Sequence, residues 1–199
     1  MKPKYISSAD RLHHPGSLYD VNDFSFCNIT QADVSEAICS IKSNAAGFDG
    51  VPLSFIKKIL PVILPALTHL YNYSITTSTF PSIWKKAVVT AIPKIGSPTS
   101  AGDMRPISVV PILSKGLEAI LYKQLVEVLE RFDVLDPHQS GFRRGYSCST
   151  ALLRLCEDIR SGFAANSVTI NVLLDFANAF GSVDHALLVH KLKSFYGFR

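Results

Sequence analysis

The sequence predicts a helix-rich α+β fold, and the order of its elements is the reason. Amphipathic helical stretches come first, two short β-branched runs follow at KKAVVTAIPK (85–94) and RPISVV (105–110), and a helix, a strand and a helix lead to Arg199. Segregated elements of this kind belong to α+β proteins rather than to regularly alternating ones. With 199 residues, 47% hydrophobic and 18% charged, the chain has the apolar content for a packed core.

Residues 1–25 mix His, Pro, Gly, Asp and Ser without a sustained period and read as an irregular lead-in or linker. At Thr30 the pattern changes. Thr30 and Asp33 have the spacing of a capping box, and Val34, Ala37, Ile38 and Ile41 then share one helical face, which predicts a helix ending near Asn44. Pro52 suits a first helical turn, whereas Pro61 and Pro65 are expected to divide the apolar stretch through His69, Tyr71 and Tyr73 into two or three helices.

The β-branched runs at 85–94 and 105–110 are separated by the turn-rich GSPTSAGD, which predicts a hairpin or a pair of strands bridged by a flexible tip. Leu117, Ile120, Leu121, Leu125, Val128 and Leu129 repeat at three and four residues and mark a helix from Lys115 to Arg131. After the turn DPHQSGFRRGYS, the residues Ala151, Leu152, Leu155, Cys156 and Ile159 mark another, broken by Ser161, Gly162 and Asn166. The continuous apolar character of 168–175 predicts a buried central strand, and Asp184 is placed to cap a final helix.

Bulk properties narrow the function less than the fold. A net charge of +4 and a pI near 8.9 permit a polyanionic partner without marking one. The 4 cysteines, Cys27, Cys39, Cys148 and Cys156, form no zinc-type spacing or C-x-x-C pair and read as reduced thiols of an intracellular protein, nuclear or cytoplasmic rather than secreted. MKPKYISSAD lacks a signal-peptide core, and the proline-interrupted run ILPVILPAL (59–67) is too short for a membrane span, so no membrane partner is expected.

Asp175 is the most informative single residue. An acid at the carboxyl end of a buried strand stands where α/β proteins open a ligand crevice, yet taken alone it reads as an acid that closes its own turn.

Its surroundings shift the balance. The blocks AAGFDGVPLSFIKK, FPSIWKKAVVTAIPK, DMRPISVVPILSKGLEAILYKQL, HQSGFRRGYSCSTALL and LLDFANAFGSVDHALLVHKL follow one another in the order found in reverse transcriptases. Over residues 24–199 the chain resembles the reverse transcriptase domain of non-long-terminal-repeat (LINE-type) retrotransposons, particularly the jockey and chicken-repeat-like groups.

That resemblance implies a partial right-hand polymerase, with a fingers-like region over 26–165 and the start of a palm over 166–199. It implies an RNA template, a DNA primer, deoxynucleoside triphosphates and Mg2+. Phosphoryl transfer relies mainly on positioning and charge neutralisation, which carboxylate-bound metals provide. By the same carry-over, Asp175 matches the first metal-binding aspartate, with the backbone oxygen of Phe176 as a further ligand candidate. Phe180 matches the bulky residue that excludes a ribose hydroxyl, or is an ordinary core aromatic. Arg105 matches the arginine that grips the triphosphate, or is a surface charge beside Pro106. Lys94 and Lys115 either add charge to that path or are solvated lysines. Gln139, Gly141, Phe142 and Arg143 match the template block, where Gly141 is expected to admit close backbone approach and Arg143 or Arg144 to neutralise phosphate.

The chain also departs from the family pattern. Asn178 and Gly181 replace a lysine and an aspartate of the family's first catalytic block, and Tyr146 and Cys148 stand where the template block has His and Thr. No two aspartates are adjacent, so the family's Y/F-x-D-D half of the metal site is not in this sequence. The expectation is a polymerase fragment, inactive alone. A non-catalytic nucleic-acid-binding remnant is the alternative.

Overall fold

A computed structural model describes residues 24–176 and 179–196. The expected lead-in over 1–25 falls outside them except at its last two positions, and so does Asn178. The chain divides into a compact unit over Ser25–Val128 and a second one that contains Leu129 onward.

In the first unit, helix α1 spans Gln31–Ser40. Its capping box forms as the spacing predicts: Asp33 N donates to Thr30 Oγ1 at 3.3 Å, and Thr30 N donates to Asp33 Oδ2 at 2.8 Å. The Thr30 hydroxyl, followed by its backbone N–H, holds the Asp33 carboxyl below its ordinary pKa. Val34, Ala37 and Ile38 are buried. The helix ends before the expected Asn44, because Ile41 turns extended to pack on the core. Asn44 instead accepts from Ser54 N at 2.8 Å, satisfying an open donor at the start of the next helix.

Helix α2 runs unbroken over Leu53–Thr76, with Pro61 and Pro65 inside it. This corrects the expected division into two or three helices. Both prolines lie on the exposed side, where the carbonyls they leave unpaired can be hydrated. The opposite side buries Leu53, Ile56, Leu60, Leu67 and Tyr71. The run 59–67 lies inside this longer helix, which is long and apolar enough to cross a membrane by length and composition alone. Its buried face is nevertheless that of an amphipathic core helix.

Strands β1 (Val88–Pro93) and β2 (Met104–Val109) form the predicted antiparallel hairpin, with Val88 opposite Val109 and Ile92 opposite Arg105. Pro106 is tolerated because a two-stranded sheet has an open edge on each strand. The tip is better fixed than its composition predicts. Asp103 Oδ2 accepts from Thr99 N at 3.0 Å and Ser100 N at 2.9 Å, bonds that depress its pKa.

Helix α3 covers Ile112–Arg131 and buries Ile112, Leu117 and Ile120 against α1 and α2. The buried core lies between Ile29 and Ile120, and two side-chain amides fasten the segment ahead of α1 to it. Cys27 N donates to Gln124 Oε1 at 2.8 Å, and Ile29 N to Asn72 Oδ1 at 2.8 Å.

In the second unit, Ser147 caps helix α4 (Cys148–Ala164), which ends before Asn166 at a φ of 55°. Residues 167–176 are then neither strand nor buried, which corrects the expected central strand: Val168 is 92% exposed and Leu173 84%. A strand is held by neighbouring backbone groups, and among the described residues β1 and β2 pair only with each other. Helix α5 spans His185–Tyr196, and Asp184 caps it as predicted, accepting from Leu187 N at 3.0 Å.

Candidate functional site

The residues singled out by sequence fall into the two units. Lys94, Arg105 and Lys115 belong to the first; Gln139 to Arg144 and Asp175 to Phe180 belong to the second.

In the first unit, Arg105 stands at an exposed position of β2. Lys94 has a structural task. Its N–H donates to Asp103 O at 2.7 Å and its Nζ to Gly102 O at 2.8 Å, so the side chain clips the hairpin tip. Lys115 is half-buried in the first turn of α3. A cleft of about 350 Å³ between α1 and α3 contains none of the expected site residues. The Glu36–Lys123 ion pair, 3.2 Å long, lies at this cleft.

In the second unit, Asp175 is exposed, and its Oδ1 accepts from Phe176 N at 2.9 Å. The acid thus bonds the backbone N–H of the next residue while remaining open to solvent. Phe180 lies in the 3₁₀ turn Phe180–Ser182, its ring edge-to-face with Phe142 at a centroid distance of 6.0 Å and an interplanar angle of 83°. Phe142 is 84% exposed and Phe180 81%. Two blocks separated in sequence thus meet through their aromatic residues.

Beside Gly141 the backbone is open: a β-carbon there would meet no protein atom within 4 Å. Left-handed backbone occurs at Phe142, with φ 59°, and at Gly145, with φ 84°. Gln139 Nε2 donates to Gly141 O at 3.1 Å.

Arg143 turns its fork inward. Its Nε donates to Glu130 Oε1 at 3.2 Å, its Nη2 to Glu130 Oε2 at 2.9 Å and its Nη1 to Asp136 O at 3.2 Å. The guanidinium lies 4.7 Å from the centre of the Tyr146 ring, and the side chain is 8% exposed. The bond to Glu130 raises the arginine pKa further above its already high ordinary value. Arg144 is exposed. Glu130 was not anticipated, since it lies on the exposed side of α3 and no periodic pattern connects it with a turn 13 residues away.

Among the described residues, no group of three or more His, Cys, Asp or Glu side chains is placed to hold a metal. Asp175 and the Phe176 carbonyl do not by themselves fit a magnesium ion, which takes about six oxygen ligands in near-octahedral geometry.

Comparison with known proteins accounts for this set of blocks. The reverse transcriptase (RNA-dependent DNA polymerase) family matches residues 92–198, more than half of the chain, and the chain belongs to that family. Within it, the curated relatives are polymerases of non-long-terminal-repeat, LINE-type retrotransposons. The chain is 30% identical to a probable RNA-directed DNA polymerase from transposon BS of Drosophila melanogaster, over 82% of this chain and 18% of that protein. It is 26% identical to a probable RNA-directed DNA polymerase from transposon X-element of the same species, over 87% of this chain and 19% of that protein. It is 25% identical to the RNA-directed DNA polymerase from mobile element jockey, again of Drosophila melanogaster, over 84% of this chain and 19% of that protein. The chain thus spans less than a fifth of the length of these relatives.

Proposed function

We propose that this chain supplies the fingers-like region (26–165) and the start of the palm (166–199) of a polymerase that copies RNA into DNA in the nucleus or cytoplasm. The observation that carries the reading is the Phe142–Phe180 contact. It joins the block that matches the template side to the block that contains Asp175.

On this reading Phe180 lies beneath the sugar of the incoming deoxynucleotide, and Arg105 offers a planar fork to its phosphates. Lys115 adds charge near that path, and Lys94 acts by holding the hairpin tip. Arg144 rather than Arg143 meets the template phosphates, because Glu130 and Asp136 already occupy the fork of Arg143. Asp175 contributes one carboxylate toward magnesium. The described residues do not complete a metal site, so no catalytic step through the metal is assigned to this chain.

The test is primer extension on a primed RNA template by a polymerase that contains this chain, with magnesium and all deoxynucleotides. Asp175→Asn is expected to reduce incorporation to background while leaving the thermal midpoint unchanged. Extension at the unsubstituted rate would refute the role of Asp175.

A further inference from the structure

We propose that Glu130 and Arg143 are a positioning pair that holds Phe142 against Phe180, and that this pair sets how strongly the polymerase prefers deoxyribonucleotides to ribonucleotides. The proposal rests on the reading of Phe180 as the sugar-facing residue.

Phe142 and Arg143 are adjacent in sequence but opposite in exposure. The Phe142 ring is almost fully open, and the Arg143 side chain is almost fully covered. The left-handed backbone of Phe142, at φ 59°, accompanies this reversal. A bulky residue rarely adopts that conformation and keeps it only where its surroundings over-determine it. Here they do so from both sides. Ahead of Phe142, the Gln139 amide donates to Gly141 O at 3.1 Å. Behind it, the guanidinium of Arg143 is held in two directions by Glu130, by Asp136 O and by the face of Tyr146.

A planar fork bound at both oxygens of a carboxylate fixes direction as well as distance, which a single lysine contact cannot. With Arg143 fixed, the backbone at Phe142 is held where its ring meets Phe180 edge-to-face. The edge-to-face geometry then limits the orientations open to the Phe180 ring. Exclusion of a 2′-hydroxyl by volume needs a ring that cannot swing aside. Two exposed phenylalanines supply little such restraint unless one of them is anchored, and the anchor is the Glu130 carboxylate on α3. Glu130 and Arg143 touch no nucleotide in this arrangement. They act through Phe142.

The experiment uses a polymerase containing this chain, with 4-fluorophenylalanine at position 180 and the variants Glu130→Gln, Phe142→Leu and their combination. Two quantities are measured: the ratio of kcat/KM for a deoxynucleotide to that for the matching ribonucleotide, and the fluorine resonance of the residue-180 ring. Glu130→Gln and Phe142→Leu are each expected to lower the ratio by roughly 10-fold, with the combination no worse than either alone, because both break one coupled unit. Both should move the fluorine resonance in the same direction. Arg143→Lys, which keeps the charge and loses the fork, should behave like Glu130→Gln. An unmoved resonance in Glu130→Gln, or additive losses in the combination, overturns the positioning role. If Phe180→Val leaves the ratio unchanged, the sugar-facing assignment of Phe180 fails and the selectivity role of the pair with it; the fluorine shifts then still decide whether Glu130 orients the ring.

Discussion

The Tyr71 hydroxyl lies against the backbone of Gly116: a β-carbon built on that glycine would stand 2.6 Å from Tyr71 Oη and 2.6 Å from Ile38 Cδ1. Tyr71 is fully buried in α2 and donates to Leu113 O on α3, and burial pushes the phenol pKa well above its usual value. The contact joins α1, α2 and α3 at one point where only glycine fits.

Gly116→Ala is therefore expected to destabilise the chain by about 1–3 kcal/mol, the usual range for overpacking a tight interior. Tyr71→Phe removes one of the two colliding atoms. Urea unfolding should show Gly116→Ala to be less damaging in the Tyr71→Phe background than alone, and equal damage in both would place the clash elsewhere.

Acid sensitivity follows from Asp33 and Asp103, whose folded pKa values lie below the unfolded value near 3.8. Between the two values the unfolded chain binds more protons, so stability is complete above the unfolded value and declines as pH falls through the lower, folded one. The urea midpoint should drop between roughly pH 4 and pH 2. Asp103→Asn should flatten that drop by removing one contributing group, and an unchanged slope would contradict the bond pattern at the hairpin tip.

Binding to single-stranded RNA should separate the two arginines of the template block. Arg144→Ala is expected to reduce the slope of log affinity against log salt by about one, as the loss of one phosphate contact requires. Arg143→Ala should leave that slope unchanged and lower the thermal midpoint, since its partners are within the protein. The reverse pattern would return Arg143 to the phosphate-binding role.

The apolar segment before Asp175 offers a further check. Leu173 is 84% exposed, and a contiguous exposed apolar run promotes association. Leu173→Gln should change stability by no more than about 0.5 kcal/mol and reduce light scattering at high concentration. A large loss of stability would mean that the segment is packed after all.

Part of this was readable in the chain itself. Thr30 with Asp33, and Asp184 with Leu187, interact across three residues, so the sequence contains both partners and the spacing that joins them. The hairpin was readable for a similar reason, since β-branched runs on either side of a turn-rich stretch need only each other. The five-block resemblance was likewise a matter of order along the chain.

What the residues determined alone is therefore the helical periods, the caps and the hairpin, which rest on local spacing, together with the resemblance to reverse transcriptases, which rests on the order of the blocks. Tertiary structure decided that α2 passes through Pro61 and Pro65, that 168–175 is not paired as a strand, that the helices approach most closely at Gly116, and that Arg143 faces Glu130. Each of these depends on a neighbour from elsewhere in the chain or on which side of an element meets water. Periodicity identifies neither, because a side chain's partner across space is chosen by packing and not by sequence distance.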